Sequence, residues 1–534
     1  MSVFRVFFAL VGAVSLPVAV LRAEDAPKWG AHVDLEGKLG TERHLGEVDF
    51  FLPLAQDDRT LVFGDIRTRM DDQEGREGNF GLGVRTMLDS GWNLGGYGYF
   101  DRRRSEYHHY FNQVTLGAEA LSRDWDLRAN AYVPIGRTSR QEDSLNTAEV
   151  SGASVIFKGG EERALGGFDA EIGWRVPVFD PDGAVNLRAY AGGYRFADDD
   201  VPTVAGPRGR LEMVFDEVPG LWGGSRLSLG AEWQRDDPRG SQGFLTARLR
   251  IPLQAEATVA KLTPMERRMT DPIVRDIDIV SQAGTFGPGE TTSQLANGGT
   301  FTVVNSATTT GANLATAVNN AGAGSTVLLA GSFATGTTTV STLANQTLTG
   351  TLTVRSASGR TATVNTGAAI QGSNTANYAV LVNGVGGTIQ GLTISNSSGS
   401  GSLSRAVFVA DGVTGVTISN NVISATQTGN LQAQALAFGN NTSGTVSGNT
   451  ITATGTGSAA NARALLVNQT TTVTVSGNTV SASGSAVAAN DVIVLSSGTT
   501  TFNAGSTGNV RSNGNCSGAA LSGSVGFTDG TTCP

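Results

Sequence analysis

The chain has 534 residues, of which 16% are charged and 39% hydrophobic, and its net charge is −9. That balance argues against a general nucleic-acid binder, which should be basic, and two cysteines exclude a disulfide-rich scaffold or a four-cysteine zinc site. The 71 glycines follow no collagen-like period, so they serve turns and close backbone packing.

The two halves differ. After residue 284 there are five arginines, no lysine and four acidic residues, whereas residues 1–284 hold 33 basic and 43 acidic residues. All six tryptophans and all four histidines precede residue 235. Two domains built by different rules are the simplest account.

Residues 1–23 read as a signal peptide. Arg5 supplies a short basic region, Val6 to Leu21 is an apolar run interrupted by Pro17, and the small Ala23 precedes Glu24. The alternative, a membrane anchor, fits less well, because the run is short for a spanning helix and no stop-transfer pattern follows.

Residues 24–253 alternate with period two. In Trp125 to Val133 the odd positions are apolar and the even ones polar or Tyr. Phe168 to Val176 and Leu227 to Trp233 repeat the pattern. A soluble β-sandwich also alternates. The ten-residue units, however, suit strands that cross a bilayer at a tilt. Trp29, Trp92, Trp125 and Trp233 sit at strand ends, as an interfacial girdle requires. The polar face mixes both signs (Asp65, Arg67, Arg69; Arg210, Glu212, Asp216), which suits a wet, cross-paired lumen. About thirteen candidate strands lie between Trp29 and Leu253, the weakest near residues 47–56 and 147–157. A single-chain bacterial barrel needs an even number, so twelve is expected.

Three stretches carry a resemblance: FGDIRTRMDDQEGREGNFGLGVRT, GWNLGGYGYFDRRRSEYHHYFNQVTLGAEA and WDLRANAYVPIG, between Phe63 and Gly136. This region resembles the barrel domain of the inverse autotransporters, the intimin/invasin family. The resemblance implies a twelve-stranded outer-membrane barrel that displays a C-terminal passenger outside the cell by type Ve secretion. It also implies outer-membrane lipid, the barrel-assembly machinery and periplasmic chaperones as partners. The peptidoglycan-binding module of the family's best-known members is expected to be absent, since few residues separate Ala23 from the first strand.

Residues 254–284 form a linker. Thr263-Pro264-Met265-Glu266 starts a short helix in a capping-box arrangement, Asp271-Pro272 ends it, and Ile273 to Val280 alternates apolar and charged residues. This segment, too, resembles the family's linker. An even-stranded barrel ends on the side where it began, so a passenger bound for the other side must run back through the lumen. Arg267, Arg268, Arg275, Asp276 and Asp278 are then expected to pair with luminal charges. An ordinary surface linker is the alternative.

Residues 285–534 repeat every 28–29 residues. QGLTIS, SNNVIS, SGNTIT and SGNTVS align without gaps, which puts Leu392, Asn421, Asn449 and Asn478 in one column. Four apolar columns run beside it: Ile389/Ile418/Val446/Val475, Ile394/Ile423/Ile451/Val480, Val380/Val407/Leu436/Leu465/Ile493 and Val382/Val409/Phe438/Val467/Leu495. Registered columns argue against low-complexity disorder and for stacked coils: a right-handed parallel β-helix of eight or nine coils. The expected fold class is therefore all-β, a transmembrane antiparallel barrel followed by a parallel β-helix. Asn421, Asn449 and Asn478 are expected to form a turn ladder, with a ligand-binding row as the alternative. Cys516 and Cys533 are expected to form a disulfide stapling the C-terminal cap, a loop contributing about 3 kcal/mol in the chain-entropy model.

An enzyme reading is weak. Polysaccharide cleavage needs converging carboxylates, and Asp411 and Asp491 lie nearly three coils apart. No cofactor or metal is expected; His108-His109 lacks an evident third ligand. The expected function is anchoring and surface display of the passenger, with adhesion to an unknown receptor or glycan. The competing readings are a surface-displayed polysaccharide-degrading enzyme and a porin-like channel.

Overall fold

The computed structural model describes residues 27–254, 261–276, 278–373, 378–399, 403–457, 460–485, 490–496 and 498–533. The expected signal peptide lies outside the described residues. The chain divides into two units: residues 1–145 with 160–286, and residues 146–159 with 287–534.

The first unit is built on strands β1 His32–Gly40, β2 His44–Gln56, β3 Thr60–Asp71, β4 Arg76–Met87, β5 Trp92–Arg104, β6 Tyr110–Ser122 and β7 Trp125–Ile135. Four short strands follow: β8 Ser139–Gln141, β9 Thr147–Ser151, β10 Ser154–Lys158 and β11 Glu161–Ala164. Then come β12 Gly166–Val176, β13 Val185–Ala197, β14 Val204–Asp216, β15 Arg226–Asp236 and β16 Gly240–Pro252. β1–β7 and β12–β16 close into a twelve-stranded antiparallel barrel. The closing pair is β1 with β16, from His32↔Pro252 to Gly40↔Phe244.

Period-two alternation now has its cause. Leu82 (64% exposed), Leu116 (61%) and Leu245 (64%) point outward, while Asp65, Arg67, Asp101 and Arg128 are buried inside. Apolar side chains outside and charges within invert a water-soluble core, and the solvent that fits the outer face is lipid.

Of the two weakest candidate strands, residues 44–56 are in the barrel. Their alternation is blurred by a register shift between Pro53 and Ala55, which flips the parity of the strand's end. Residues 147–158 form a hairpin outside the barrel, and it belongs to the second unit. The girdle reading also needs one correction. Trp125, Trp174, Trp222 and Trp233 are exposed, but Trp29 is fully buried. It packs with Phe51, Leu61, Phe63, Tyr97 and Tyr99.

The second unit is a three-sided parallel β-solenoid, with one eight-stranded and two seven-stranded sheets. The apolar columns are strand registers. Ile389 pairs Ile418, which pairs Val446, which pairs Val475. Ile394, Ile423, Ile451 and Val480 follow in the second sheet, and Val380, Val407, Leu436, Leu465 and Ile493 in the third. These columns form one continuous core. There are about seven turns rather than eight or nine. Helix α2, Gly311–Ala321, and the antiparallel hairpin Thr351–Arg355/Thr361–Asn365 take up chain near the start.

Replacing the outward-facing Leu82 by Arg should destabilise the barrel by about 2–4 kcal/mol if that position lies near the bilayer midplane. Urea unfolding in lipid vesicles checks this.

Candidate functional site

Strand parity fills the lumen with ion pairs. In β3, positions 61, 63, 65, 67 and 69 all face inward and are buried. Arg67 holds Asp65 at 2.8 and 2.9 Å. Arg85 holds Glu119 at 2.5 Å, Arg128 holds Glu171 at 2.9 Å and Arg250 holds Asp34 at 2.9 Å.

The linker runs through this lumen. α1, Pro264–Arg267, opens with a complete capping box between Thr263 and Glu266. The Trp29 indole donates to the Glu266 carbonyl at 2.8 Å, and Asn93 donates to the Met265 carbonyl at 2.9 Å. Further along, Asp278 pairs with Arg69 at 3.0 Å and with Arg43. Trp29 precedes β1 and Arg43 follows it, so these contacts lie at opposite rims. Between them the chain is extended and makes no secondary structure of its own from Asp271 to Val274. Its carbonyls are taken by barrel side chains. Arg85 Nη1 donates to the carbonyls of Met269 (2.8 Å) and Asp271 (2.7 Å). Arg67 Nη1 donates to Ile273 at 2.9 Å, Asn130 to Val274 at 3.2 Å and Arg103 to Ile279 at 2.5 Å.

The five nominated linker residues differ in what they do. Arg268 reaches Asp126 at 2.6 Å. Arg275 pairs with Asp101 at 2.9 Å, both side chains fully buried. Arg267 is only loosely associated with Asp216, at 3.9 Å. Asp276 engages through its backbone N–H, which donates to Tyr132 Oη at 2.7 Å and to Asp169 at 3.2 Å.

The sequence reading missed Asp271, taken there only as a helix end; its carboxylate accepts from Arg226 at 2.7 Å. It also missed the apolar knobs Met269 and Ile273, buried against the Trp29 cluster. Met269 stands alone between Arg267-Arg268 and Thr270-Asp271, which was the signal available for it; Ile273 lies in a run that also holds Val274, Ile277, Ile279 and Val280, so nothing in the sequence singles it out. A cavity of about 190 Å³ remains beside the linker, with Arg208, Arg210, Glu232 and Arg248 among its walls. His109 lies 3.0 Å from Glu162 and 3.6 Å from Glu142. Among the described residues no group of three or more His, Cys, Asp or Glu is arranged to hold a metal ion.

In the second unit, the Asn column is a buried hydrogen-bond ladder. Asn421 Oδ1 accepts from the Leu392 N–H at 3.0 Å, and its Nδ2 donates to Asn449 Oδ1 at 3.0 Å. Asn449 bonds Asn478 at 2.9 Å, and Asn478 bonds Asn509 at 3.0 Å. Asn509 lies 31 residues on, out of step with the 28–29-residue period. The dipeptide was the better signal. Leu392 and each ladder asparagine follow a left-handed position, filled by Gly391, Asn420, Gly448, Gly477 and Gly508, where only Gly or Asn is readily tolerated.

Cys516 and Cys533 are bonded across the last turn. Nearby, the Thr531 hydroxyl and N–H hold the exposed Asp529 carboxyl below the usual carboxylate range. Asp411 accepts from the Asn440 N–H at 2.7 Å and Asp491 from the Ser517 hydroxyl at 3.0 Å, so each serves its own turn or strand end.

A closed twelve-stranded barrel, greasy outside and filled inside by a paired, extended segment, defines an outer-membrane-type anchor followed by a β-solenoid. Residues 27–197 match the inverse autotransporter beta-domain family, and the chain therefore carries an inverse autotransporter β-domain. The search of curated proteins finds no match. Among solved structures, one from a study of in-meso crystallization of membrane proteins is 16% identical, covering 47% of this chain and 99% of that one, with a TM-score of 0.35. An outer membrane channel from Pseudomonas putida F1 is 12% identical, covering 43% and 98%, with a TM-score of 0.31. The KdgM porin is 6% identical, covering 41% and 97%, with a TM-score of 0.25.

Replacing Arg275 by Ala leaves Asp101 in the lumen without its cationic partner, with Asn79 and Thr115 still donating to it. The expected loss is about 3–5 kcal/mol, read as faster trypsin cleavage at Arg267 and Arg268 of the detergent-solubilised protein. Replacing Asn449 by Ala leaves backbone groups of two turns unpaired and should cost the solenoid about 1–3 kcal/mol; thermal unfolding followed by circular dichroism measures it.

Proposed function

We propose that this protein anchors itself in the outer membrane and displays its C-terminal β-solenoid on the cell surface, where the solenoid serves adhesion. The observation that carries this reading is the linker. Twelve strands return the chain to its starting rim, and residues 261–280 take it back to the other rim through paired contacts. An N-terminus on the periplasmic side then puts the exit outside. Outer-membrane lipid, assembly machinery and periplasmic chaperones are the partners this route requires. Ser and Thr side chains on the outer faces of the strands offer a polar surface suited to many weak hydrogen bonds with a receptor or glycan.

Two other functions fit less well. A conducting porin needs an open lumen, and here the linker occupies it. A polysaccharide-cleaving enzyme needs two converging carboxylates, whereas Asp411 and Asp491 are roughly 14 Å apart along the solenoid by strand spacing. The display reading therefore includes no catalysis, cofactor or metal.

Brief proteinase K treatment of intact cells should remove the second unit from the membrane-bound chain while the barrel stays. Cleavage that occurs only after permeabilisation contradicts display.

A further inference from the structure

Residues 146–159 interrupt the barrel sequence between β7 and β12, yet they belong to the second unit. Within that unit their hairpin is an integral layer. β9 pairs β10 from Ser151↔Ser154 to Thr147↔Lys158. β10 in turn pairs antiparallel with β18, Glu290–Thr292, the first strand of this unit after the linker: Val155↔Thr292, Ile156↔Thr291, Phe157↔Glu290. Val155 is fully buried and Phe157 is 3% exposed. Both pack in a cluster with Phe301, Leu328, Val354 and Val364, distinct from the main solenoid core. By strand parity Leu328 points away from that core, since its neighbours Val327 and Leu329 are in it. The hairpin thus covers the outer face of the first sheet where the solenoid begins. Polar bonds fix it there. Asn146 donates to the Thr361 carbonyl at 3.0 Å and accepts from Arg360 at 2.6 Å, and Asn305 donates to the Gly152 carbonyl at 2.9 Å.

The first unit contains a matching arrangement. β17, Ser281–Gly284, pairs with β11, from Glu161↔Gly284 to Ala164↔Ser281, and β11 pairs with β8. The Glu142 N–H bonds the Gly160 carbonyl at 3.0 Å, which closes the base of the loop. The chain that follows the linker therefore adds strands to the loop twice in succession, β17 to β11 and β18 to β10, by β-augmentation.

We propose that the hairpin Thr147–Lys158 is the folding template of the solenoid: a strand edge and apolar face, encoded between β7 and β12, on which the first turn forms. A solenoid grows turn on turn, and each turn after the first finds a neighbour already in place. The first has none and must close its loops before any contact rewards it. A preformed hairpin with two buried apolar side chains supplies that missing neighbour. The inference does not depend on which side of the membrane the solenoid occupies, so it stands or falls apart from the display reading.

The test uses the full chain refolded in detergent. In one variant Phe157→Asp is introduced, and in a second, residues 147–158 are replaced by a Gly/Ser segment of equal length. The barrel is read by its heat-dependent gel mobility and the solenoid by its rate of digestion with a non-specific protease. In both variants the barrel shift should remain, while the solenoid is digested at least tenfold faster than in the unaltered chain. Digestion at the unaltered rate in either variant overturns the template. Loss of the barrel shift in both also overturns it, since the hairpin would then be a barrel element.

Discussion

A polypeptide crossing the inside of a barrel has no neighbouring strand to bond with, and its backbone groups still need partners. In this protein arginine answers that requirement. Arg67 and Arg85 each bond a barrel carboxylate and a linker carbonyl with the same guanidinium. The planar fork with five donors makes this double duty possible; lysine, a point charge on a flexible stem, does not offer it. The linker's own charges add ion pairs to these backbone contacts. Arg268, Arg275 and Asp278 complete buried pairs with Asp126, Asp101 and Arg69, whereas Arg267 only loosely approaches Asp216. Apolar contacts from Met269 and Ile273 set the linker's depth against the Trp29 cluster.

The solenoid meets the same requirement with a different residue. At one corner the chain turns through a left-handed position, and the next residue's backbone and side chain must bond to the turns on either side. Asn carries both a donor and an acceptor on a short stem. Repeated at Asn421, Asn449, Asn478 and Asn509, it satisfies buried backbone groups and locks the turn-to-turn register. Apolar columns alone would permit sliding between turns; the amide ladder does not. The C-terminal end is held by the Cys516–Cys533 bond, and in our proposal the start is held by the hairpin Thr147–Lys158.

What the sequence made legible follows from periodicity. Period two gave the barrel, and the 28–29-residue columns gave the strand registers pair by pair, because in-register stacking puts like residues opposite each other. Where the period broke, the reading weakened. The bulge at Pro53–Ala55 hid β2's parity, and the 31-residue step hid Asn509. α2 went unseen because its buried stripe is only Leu314 and Val318 in a run of small residues. Trp29 was assigned to the interface from its position at a strand end, yet it turns inward because Glu266 offers its indole an acceptor in the lumen. Contacts of that kind join residues more than 200 apart, and no local pattern encodes them. The hairpin at 147–158 alternates as a strand should, but nothing in its own residues says which unit it joins.

The central claim is that the linker fills and closes the barrel. Single-channel recording of the purified protein in planar bilayers tests it most directly, comparing the intact chain with one ending at Leu253. The account predicts that the intact chain stays closed and the shortened barrel opens to a steady ionic current. Equal, high conductance from both would mean that the lumen is open with the linker present, and would contradict the account.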